Sequence, residues 1–369
     1  MSVSTIIWFI FVFCIIVVSH EFGHFIIAKA NGIHVEEFTI GMGPKIIGFT
    51  RKGTYYVLRW LPFGGACIFD AEELSVSKNT DDDELPDEDD EVDVKEERQG
   101  IKFKEANVYA RIATVLAGPI FNFIVAYIMA IFIVWFCGSD IATINGFTEN
   151  SAAKEAGMQQ GDIVVKIDNT RVCTAREIYV NTFVNKKGKS MEVTYLRNGV
   201  KNTVTITPKY DEELGRYLLG FNGYGTAVEC NNASVFKYAF YEVRYGLVAT
   251  VKSIGMLVSG NGSKDDVAGP VGMAQIVGEV EQQAKPYGFG LVLLNMINIA
   301  MLLSVNLGVM NLLPIPAIDG GRLIFLLIEA VRGKPVSADK EGIVHLIGFA
   351  LLFMLMIFVM YNDIMRLIG

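Results

Sequence analysis

Charge is scarce in this chain. Only 20% of its 369 residues are Asp, Glu, Lys or Arg, against about 25% in ordinary soluble domains. Cysteine is scarce too. The five cysteines (Cys14, Cys67, Cys137, Cys173 and Cys230) form no CxxC pair. That argues against a zinc ribbon, a thioredoxin-type redox motif and a disulfide framework, and it leaves unpaired thiols in packed or lipid-facing positions. Basic residues are missing from whole regions. None precedes Lys29, and none occurs in residues 81–93, DDDELPDEDDEVD, which hold ten acids. The formal net charge of −8 therefore resides in one run, since the rest of the chain has 32 basic residues and 30 acidic ones. This balance argues against nucleic acid as a partner.

Apolar residues are what the chain has in excess. They make up 51% of it, and the mean hydropathy is +0.37. The excess is concentrated in four stretches, about Ser4–Ala28, Ile112–Cys137, Gly290–Leu313 and Gly342–Tyr361. Each is long enough to cross a bilayer, which takes about 20 helical residues. The first lacks the basic start and small-residue cleavage site of a signal peptide, so it reads as a retained span. Lys29, Lys102, Lys104 and Arg111 lie between spans one and two, and Arg322, Arg332, Lys334 and Lys340 between spans three and four. Positive residues concentrate in cytoplasmic loops. The expected arrangement therefore has both termini and the 2–3 connection outside, with Lys285 and Arg366 as outer-side exceptions.

The connections have their own character. Residues 138–228 read as a β-rich domain, with a strand at Ile163–Asp168 and a hairpin of Met191–Leu196 and Val200–Thr207 across Asn198-Gly199, a type I′ turn signal. Thr174–Val184 has helical spacing, with Thr174 as N-cap and Glu177 three residues later. Over 233–260, Phe236, Phe240, Val243, Leu247, Val251, Ile254 and Leu257/Val258 recur at three- and four-residue spacing. This predicts an amphipathic helix, lying in the outer interface or packed as a core helix. Between spans one and two, YYVLRWLPFGGACIFD alternates like β-hairpins. Such backbone is tolerated at membrane depth only against protein or a water-filled cavity. The acidic run reads as a cytoplasmic insert without a packed core.

The chemistry is concentrated in His20, Glu21 and His24, in HEFGH. Helical positions i and i+4 share a face, so both imidazoles can reach one metal, with Glu21 beside them as a general base toward water. Ionisable groups in an apolar span are costly to bury and mark function. A His₂ site needs a third ligand and an open position. Asp319, in NLLPIPAIDGGRL, is the candidate. There Pro314 and Pro316 break the helix and Gly320-Gly321 permits close backbone approach. The alternative is that Asp319 caps the next helix. His34 and His345 each stand alone and read as surface or packing residues.

Taken together, these motifs resemble the site-2 protease family of intramembrane zinc metalloproteases, and most closely its bacterial regulator-of-sigma-E protease group. The resemblance rests on HEFGH, NLLPIPAIDGG, AGPIFN (Ala117–Asn122), LPFGG (Leu61–Gly65), GPVGMAQIVGE (Gly269–Glu279), and SAAKEAGMQQGDIVVKID, which is similar to a circularly permuted bacterial PDZ domain. Ile318, where the family usually has Leu, and Ala66-Cys67, where an aromatic is common, depart from the pattern. The resemblance implies a polytopic α-helical membrane protein of about four transmembrane helices, with a membrane-associated β-hairpin region and one inserted extracytoplasmic PDZ-like α/β domain. The expected partition is transmembrane helix 1 over 1–30, the hairpin region over 31–71, the acidic insert over 72–100, and transmembrane helix 2 over 101–137. The PDZ-like domain follows over 138–228, an amphipathic helix and connector over 229–285, transmembrane helix 3 over 286–322, and a loop with transmembrane helix 4 over 323–369.

Carried over residue by residue, the resemblance implies Zn2+ held by His20, His24 and Asp319, with Glu21 as catalytic acid/base. Asn311 matches a family position that engages substrate; a local helix-stabilising bond is its equal alternative. Leu61, Pro62, Phe63, Gly64 and Gly65 are candidates to pair with an unwound substrate strand by β-augmentation. The implied partners are the lipid bilayer and a single-span membrane protein already cut outside the membrane, such as an anti-sigma factor. The PDZ-like domain would bind a new C-terminus or exclude uncleaved substrates by size. A non-catalytic PDZ-bearing scaffold and a metal transporter are the competing readings. The first gives Glu21 no role, and the second suits a water-retaining His₂Asp site poorly.

Overall fold

The computed structural model describes residues 2–69, 100–231, 233–263 and 266–368, with backbone alone at 61–63 and 367–368. The acidic insert lies outside the described residues. The chain divides into two compact units, residues 1–125 with 268–369, and residues 126–267. Four helices among the described residues are long and apolar enough to cross a membrane: α1 (Val3–Ala30), α2 (Val108–Cys137), α7 (Phe289–Leu312) and α9 (Ala338–Ile368).

In the first unit, α1 begins where Ser2 caps the Thr5 amide at 3.1 Å. It ends where Asn31 and the left-handed Gly32 turn the chain back, the Ile33 amide reaching the Ala28 carbonyl. Strands β1 (Glu37–Arg51) and β2 (Thr54–Ile68) follow, joined by the two-residue turn Lys52-Gly53 with both φ angles positive. This is the turn whose twist matches paired strands. Both strands bend at positive-φ glycines, Gly41 and Gly43 in β1 and Gly64 in β2. Residues 37–40 consequently pair on one side with 55–58 and on the other with 65–68, while 45–51 pair with 54–59. Residues 65–68 thus form one rim of this assembly. The expected hairpin region is therefore a folded-back sheet rather than a single ribbon, because glycine tolerates the left-handed conformation each bend needs.

Helix α7 stops at Leu312, and residues 313–318 are not helical. Pro314 and Pro316 supply no amide to continue it. Asp319 then opens α8 (Asp319–Arg332), which the left-handed Gly333 closes. Helix α6 (Pro270–Ala284) starts with proline at its first turn and is fixed by the buried Asp363 of α9, which accepts from the Gly272 amide at 2.8 Å. At its other end, the buried Glu281 accepts from Ser4 at 2.5 Å and Thr5 at 2.8 Å. Most of α9 presents bare side chains, among them Leu346, Phe349 and Phe358, as expected of a lipid-facing helix.

The second unit holds a sheet in the order β10 (Tyr224–Val228), β3 (Ser139–Ile144), β4 (Ile163–Ile167), β6 (Met191–Arg197), β7 (Val200–Ile206), with β5 (Thr170–Arg171) on β4. Asn198 and Gly199, both at positive φ, make the predicted turn between β6 and β7. Helices α3 (Ala152–Glu155) and α4 (Arg176–Phe183) and the pair β8 (Lys209–Asp211) and β9 (Arg216–Leu218) complete it. Its core gathers Ile144, Ile167, Ile178, Val193, Ile206 and Leu219. Thr174 does not cap α4 through its hydroxyl. Glu177 reaches back to the Cys173 and Thr174 amides instead, and Arg244 pairs with it.

Helix α5 (Ala233–Val258) is amphipathic as expected, and of the two expected placements its apolar stripe takes the exposed one rather than the packed one. Val235, Ala239, Glu242, Gly246 and Met256 are buried, whereas Phe236, Phe240, Leu247 and Val251 are exposed. The reason is ionic: Arg244 pairs with the buried Glu177, and Glu242 with Arg176, so the charged side of α5 faces α4.

Candidate metal centre

The site lies in the first unit. His20 and His24 share a face of α1, both buried. Asp319 sits in the first turn of α8, delivered by the proline-broken segment after α7. The Nε2 atoms of His20 and His24 are 3.3 Å apart, and Asp319 Oδ2 is 3.0 and 3.3 Å from them. Three ligands at ~2.05 Å around a tetrahedral zinc stand ~3.3 Å from one another. The triangle therefore has the size a zinc ion needs. Asp319 Oδ2 is also buried, and the polar atoms that approach it are the two Nε2 atoms themselves, so once each imidazole carries its proton on Nδ1 the oxygen is costly to bury unless a cation takes it. The donor set, two imidazoles and one carboxylate, suits zinc in a site that keeps a position open.

Close helix contact makes room for these side chains. A β-carbon on Gly118 of α2 would stand 2.3 Å from His24 Nε2 and 2.8 Å from His20 Cε1. One on Gly23 of α1 would stand 2.4 Å from the Ala117 carbonyl oxygen. The two helices thus cross glycine to backbone at His20 and His24. Pro119 follows Gly118 inside α2 and has no amide to give the Val115 carbonyl, which loosens the preceding turn next to Thr114. In that turn the Thr114 carbonyl accepts from His24 Nδ1 at 2.9 Å. That bond places the proton on Nδ1 and leaves the Nε2 lone pair for a metal.

The segment carrying Asp319 is held just as closely. β-Carbons on Gly320 and Gly321 would collide with the Leu313 and Ile315 carbonyl oxygens at 1.9 and 2.5 Å. Ala317 adopts a left-handed φ of 75°, and its amide donates to His345 Nδ1 of α9 at 2.9 Å. Gly348 of α9 lies against Pro316. Asp319 is therefore the first helical residue of α8 rather than a side-chain cap; Ile318 occupies the cap position.

Glu21 is half-buried beside the two imidazoles. The rim of the folded-back sheet reaches it: a β-carbon on Gly65 would stand 2.9 Å from Glu21 Cγ and 3.1 Å from Val17 Cγ1. Gly64 carries the bend just before that rim, with φ of 86°. Leu61 pairs through its backbone with Met42, and the side chains of Leu61, Pro62 and Phe63 lie outside the described residues. Asn311, in the last turn of α7, brings its amide nitrogen to 3.4 Å from His20 Nε2. Sequence reasoning read His345 as a surface or packing residue and gave no individual role to Gly118 or Thr114. Of these, only the Gly118-Pro119 pair inside an apolar helix signals a close crossing.

Two imidazoles and a glutamate on a membrane-length helix, met by a carboxylate from the short helix that follows another, define the class of metal-dependent hydrolases built within a bilayer. Residues 8–355 match the model of Peptidase family M50. The zinc metalloprotease RasP of Geobacillus kaustophilus is 34% identical over 99% of both chains. A putative zinc metalloprotease of Clostridium acetobutylicum is 35% identical over 99% of this chain and 98% of its own. The regulator of sigma-W protease RasP of Bacillus subtilis is 30% identical over the whole of both. The chain belongs to Peptidase family M50, the site-2 proteases, and is a multi-pass membrane zinc metalloprotease.

Proposed function

We propose that this protein cuts a single-span, membrane-anchored regulator within or next to its transmembrane segment. The regulator is of the anti-sigma-factor kind and has already been cut outside the membrane. The convergence of His20 Nε2, His24 Nε2 and Asp319 Oδ2 carries this reading. These three residues would hold the zinc, and Asn311 lies close enough to orient a substrate backbone beside it. When bound, the ion supplies Lewis acidity toward the scissile carbonyl and the attacking water. Glu21 takes a proton from that water and returns it to the leaving amide nitrogen. The buried surroundings of His20 and His24 exclude bulk water from the reaction.

A transmembrane substrate hides its peptide bonds in its own helix, so it must unwind first. The rim at Gly64 and Gly65 beside Glu21 supports pairing with the unwound strand, with Leu61–Phe63 leading into it. The distribution of Lys and Arg supports a topology with termini and the sheet domain of the second unit outside and the 1–2 and 3–4 connections in the cytoplasm. That domain, PDZ-like in its motif, then meets substrate first, as a clasp for a new C-terminus or as a size filter. The regulatory role draws on the Bacillus subtilis relative, which is named regulator of sigma-W protease.

The test is co-expression with a truncated single-span reporter. Wild type removes full-length reporter, whereas Glu21→Gln and Asp319→Ala leave it intact. Cleavage by Glu21→Gln at the wild-type rate would sink the proposal.

A further inference from the structure

A histidine that binds metal through Nε2 keeps its proton on Nδ1, and that buried N–H needs an acceptor. For His24 the acceptor is the Thr114 carbonyl. At His20 Nδ1 stands the side-chain amide of Asn122, 3.3 Å away, on α2 and wholly buried. The amide's other terminus faces Ser19 Oγ at 2.8 Å, and Ser19 Oγ lies 2.9 Å from the Ile16 carbonyl. Placed with nitrogen toward His20 and oxygen toward Ser19, the amide asks the single Ser19 hydroxyl proton to serve two acceptors. It also makes His20 Nδ1 an acceptor, which puts the ring proton on the metal-facing nitrogen. A half-turn of the amide, which changes no shape, resolves both conflicts. Ser19 then donates to Ile16, Asn122 Nδ2 donates to Ser19, and His20 Nδ1 donates to Asn122 Oδ1. Each of the three contacts then has one donor and one acceptor. The position of the asparagine is itself fixed, because its backbone carbonyl accepts from Ser304 Oγ of α7 at 3.0 Å.

We propose that Asn122 is the positioning residue for His20: it accepts the Nδ1 proton and so turns the Nε2 lone pair toward the metal. It does for one ligand through a side chain what Thr114 does for the other through the backbone. The inference rests on the metal-site reading and adds a residue on a different helix, tied to a third helix through Ser304.

Two substitutions separate acceptor chemistry from packing. Asn122→Asp keeps an acceptor for His20, and Ser19 can turn its one hydroxyl proton from the Ile16 carbonyl to the second carboxylate oxygen. Asn122→Leu keeps the approximate volume and has no acceptor. The measurement is zinc content and the rate of zinc loss to a chelator, on full-length protein in detergent. All variants carry Glu21→Gln, so turnover plays no part. The Asn122→Asp variant is expected to hold zinc like its parent, and Asn122→Leu to lose it ~10–100-fold more readily. Thermal unfolding of both variants reports whether the fold survives. The assignment is overturned if Asn122→Leu retains zinc like the parent, or if a folded Asn122→Asp loses it as Asn122→Leu does. His20→Ala separates the two levels. Zinc that depends on His20 but not on Asn122 overturns the assignment alone. Zinc indifferent to His20 overturns the metal site and the assignment with it.

Discussion

Gly118→Ala adds one methyl group at the crossing of α1 and α2. That methyl would stand 2.3 Å from His24 Nε2 and 2.5 Å from Cε1. Ordinary carbon contacts begin near ~3.5 Å, so the imidazole must retreat by ~1 Å or the helices must part. Separation also opens the contact of Gly23 with the Ala117 carbonyl. Metal–ligand distances tolerate only ~0.2 Å, so either response takes His24 out of coordination. Overpacking of this kind costs ~1–3 kcal/mol of stability, which a membrane protein of this size survives. The loss in zinc affinity exceeds the ~10–100-fold typical of removing a supporting partner. The assay is zinc per chain after dialysis against graded chelator, read beside reporter cleavage. Gly255→Ala in α5, where an added β-carbon meets nothing within 4 Å, serves as the control and retains zinc. A Gly118→Ala protein with full zinc content and wild-type cleavage would refute the argument, because the close crossing could not then exist.

Two further outcomes are expected. Leucine at position 345 removes the acceptor for the Ala317 amide two residues before Asp319. His345→Leu should therefore weaken zinc retention by ~10-fold, measured against chelator, with the second unit's thermal transition unchanged. In the second unit, the buried Asp162 resists ionisation through its burial. Arg197, pairing through both carboxylate oxygens at 2.8 and 2.7 Å, and the Gln159 amide outweigh that and hold its carboxyl below the usual range. A lowered folded pKa gives stability that is present above the unfolded value, ~3.9, and is lost as pH falls through the folded one. Urea unfolding of the second unit should therefore lose stability below about pH 4, and Asp162→Asn should flatten that dependence.

The parts of the site written within one helix were legible. The HEFGH spacing places both imidazoles together because the helical period is fixed. The four spans follow from run length, and the β6–β7 turn follows from Asn198-Gly199. What stayed hidden depends on contacts between segments distant in the chain. The partnership of His20 with Asn122, and that of Ala317 with His345, exist only once α2 and α9 have packed. Asp319 was singled out through its motif, and its approach to His20 and His24 was not legible locally, since nothing in the neighbouring residues separates a candidate ligand from a helix cap. The glycine bends of β1 and β2 were not visible as bends, because alternation records which face a residue takes and not where a strand turns. On α5, periodicity found the apolar face but left open whether it is packed or exposed; two ion pairs on the other face, formed with α4, leave the stripe exposed.

That arrangement on α5 has a consequence for how the helix is held. Arg244 with Glu177, and Arg176 with Glu242, are shielded pairs; both acids are buried. Mobile ions screen such contacts weakly, while salts such as sulfate and phosphate strengthen the association of bare apolar surface. Raising the concentration of such a salt therefore does not detach α5 from its own domain. It makes Phe236, Phe240, Leu247 and Val251 stickier toward whatever lies beyond them, so the helix behaves as a fixed adhesive edge of the domain and not as a releasable arm.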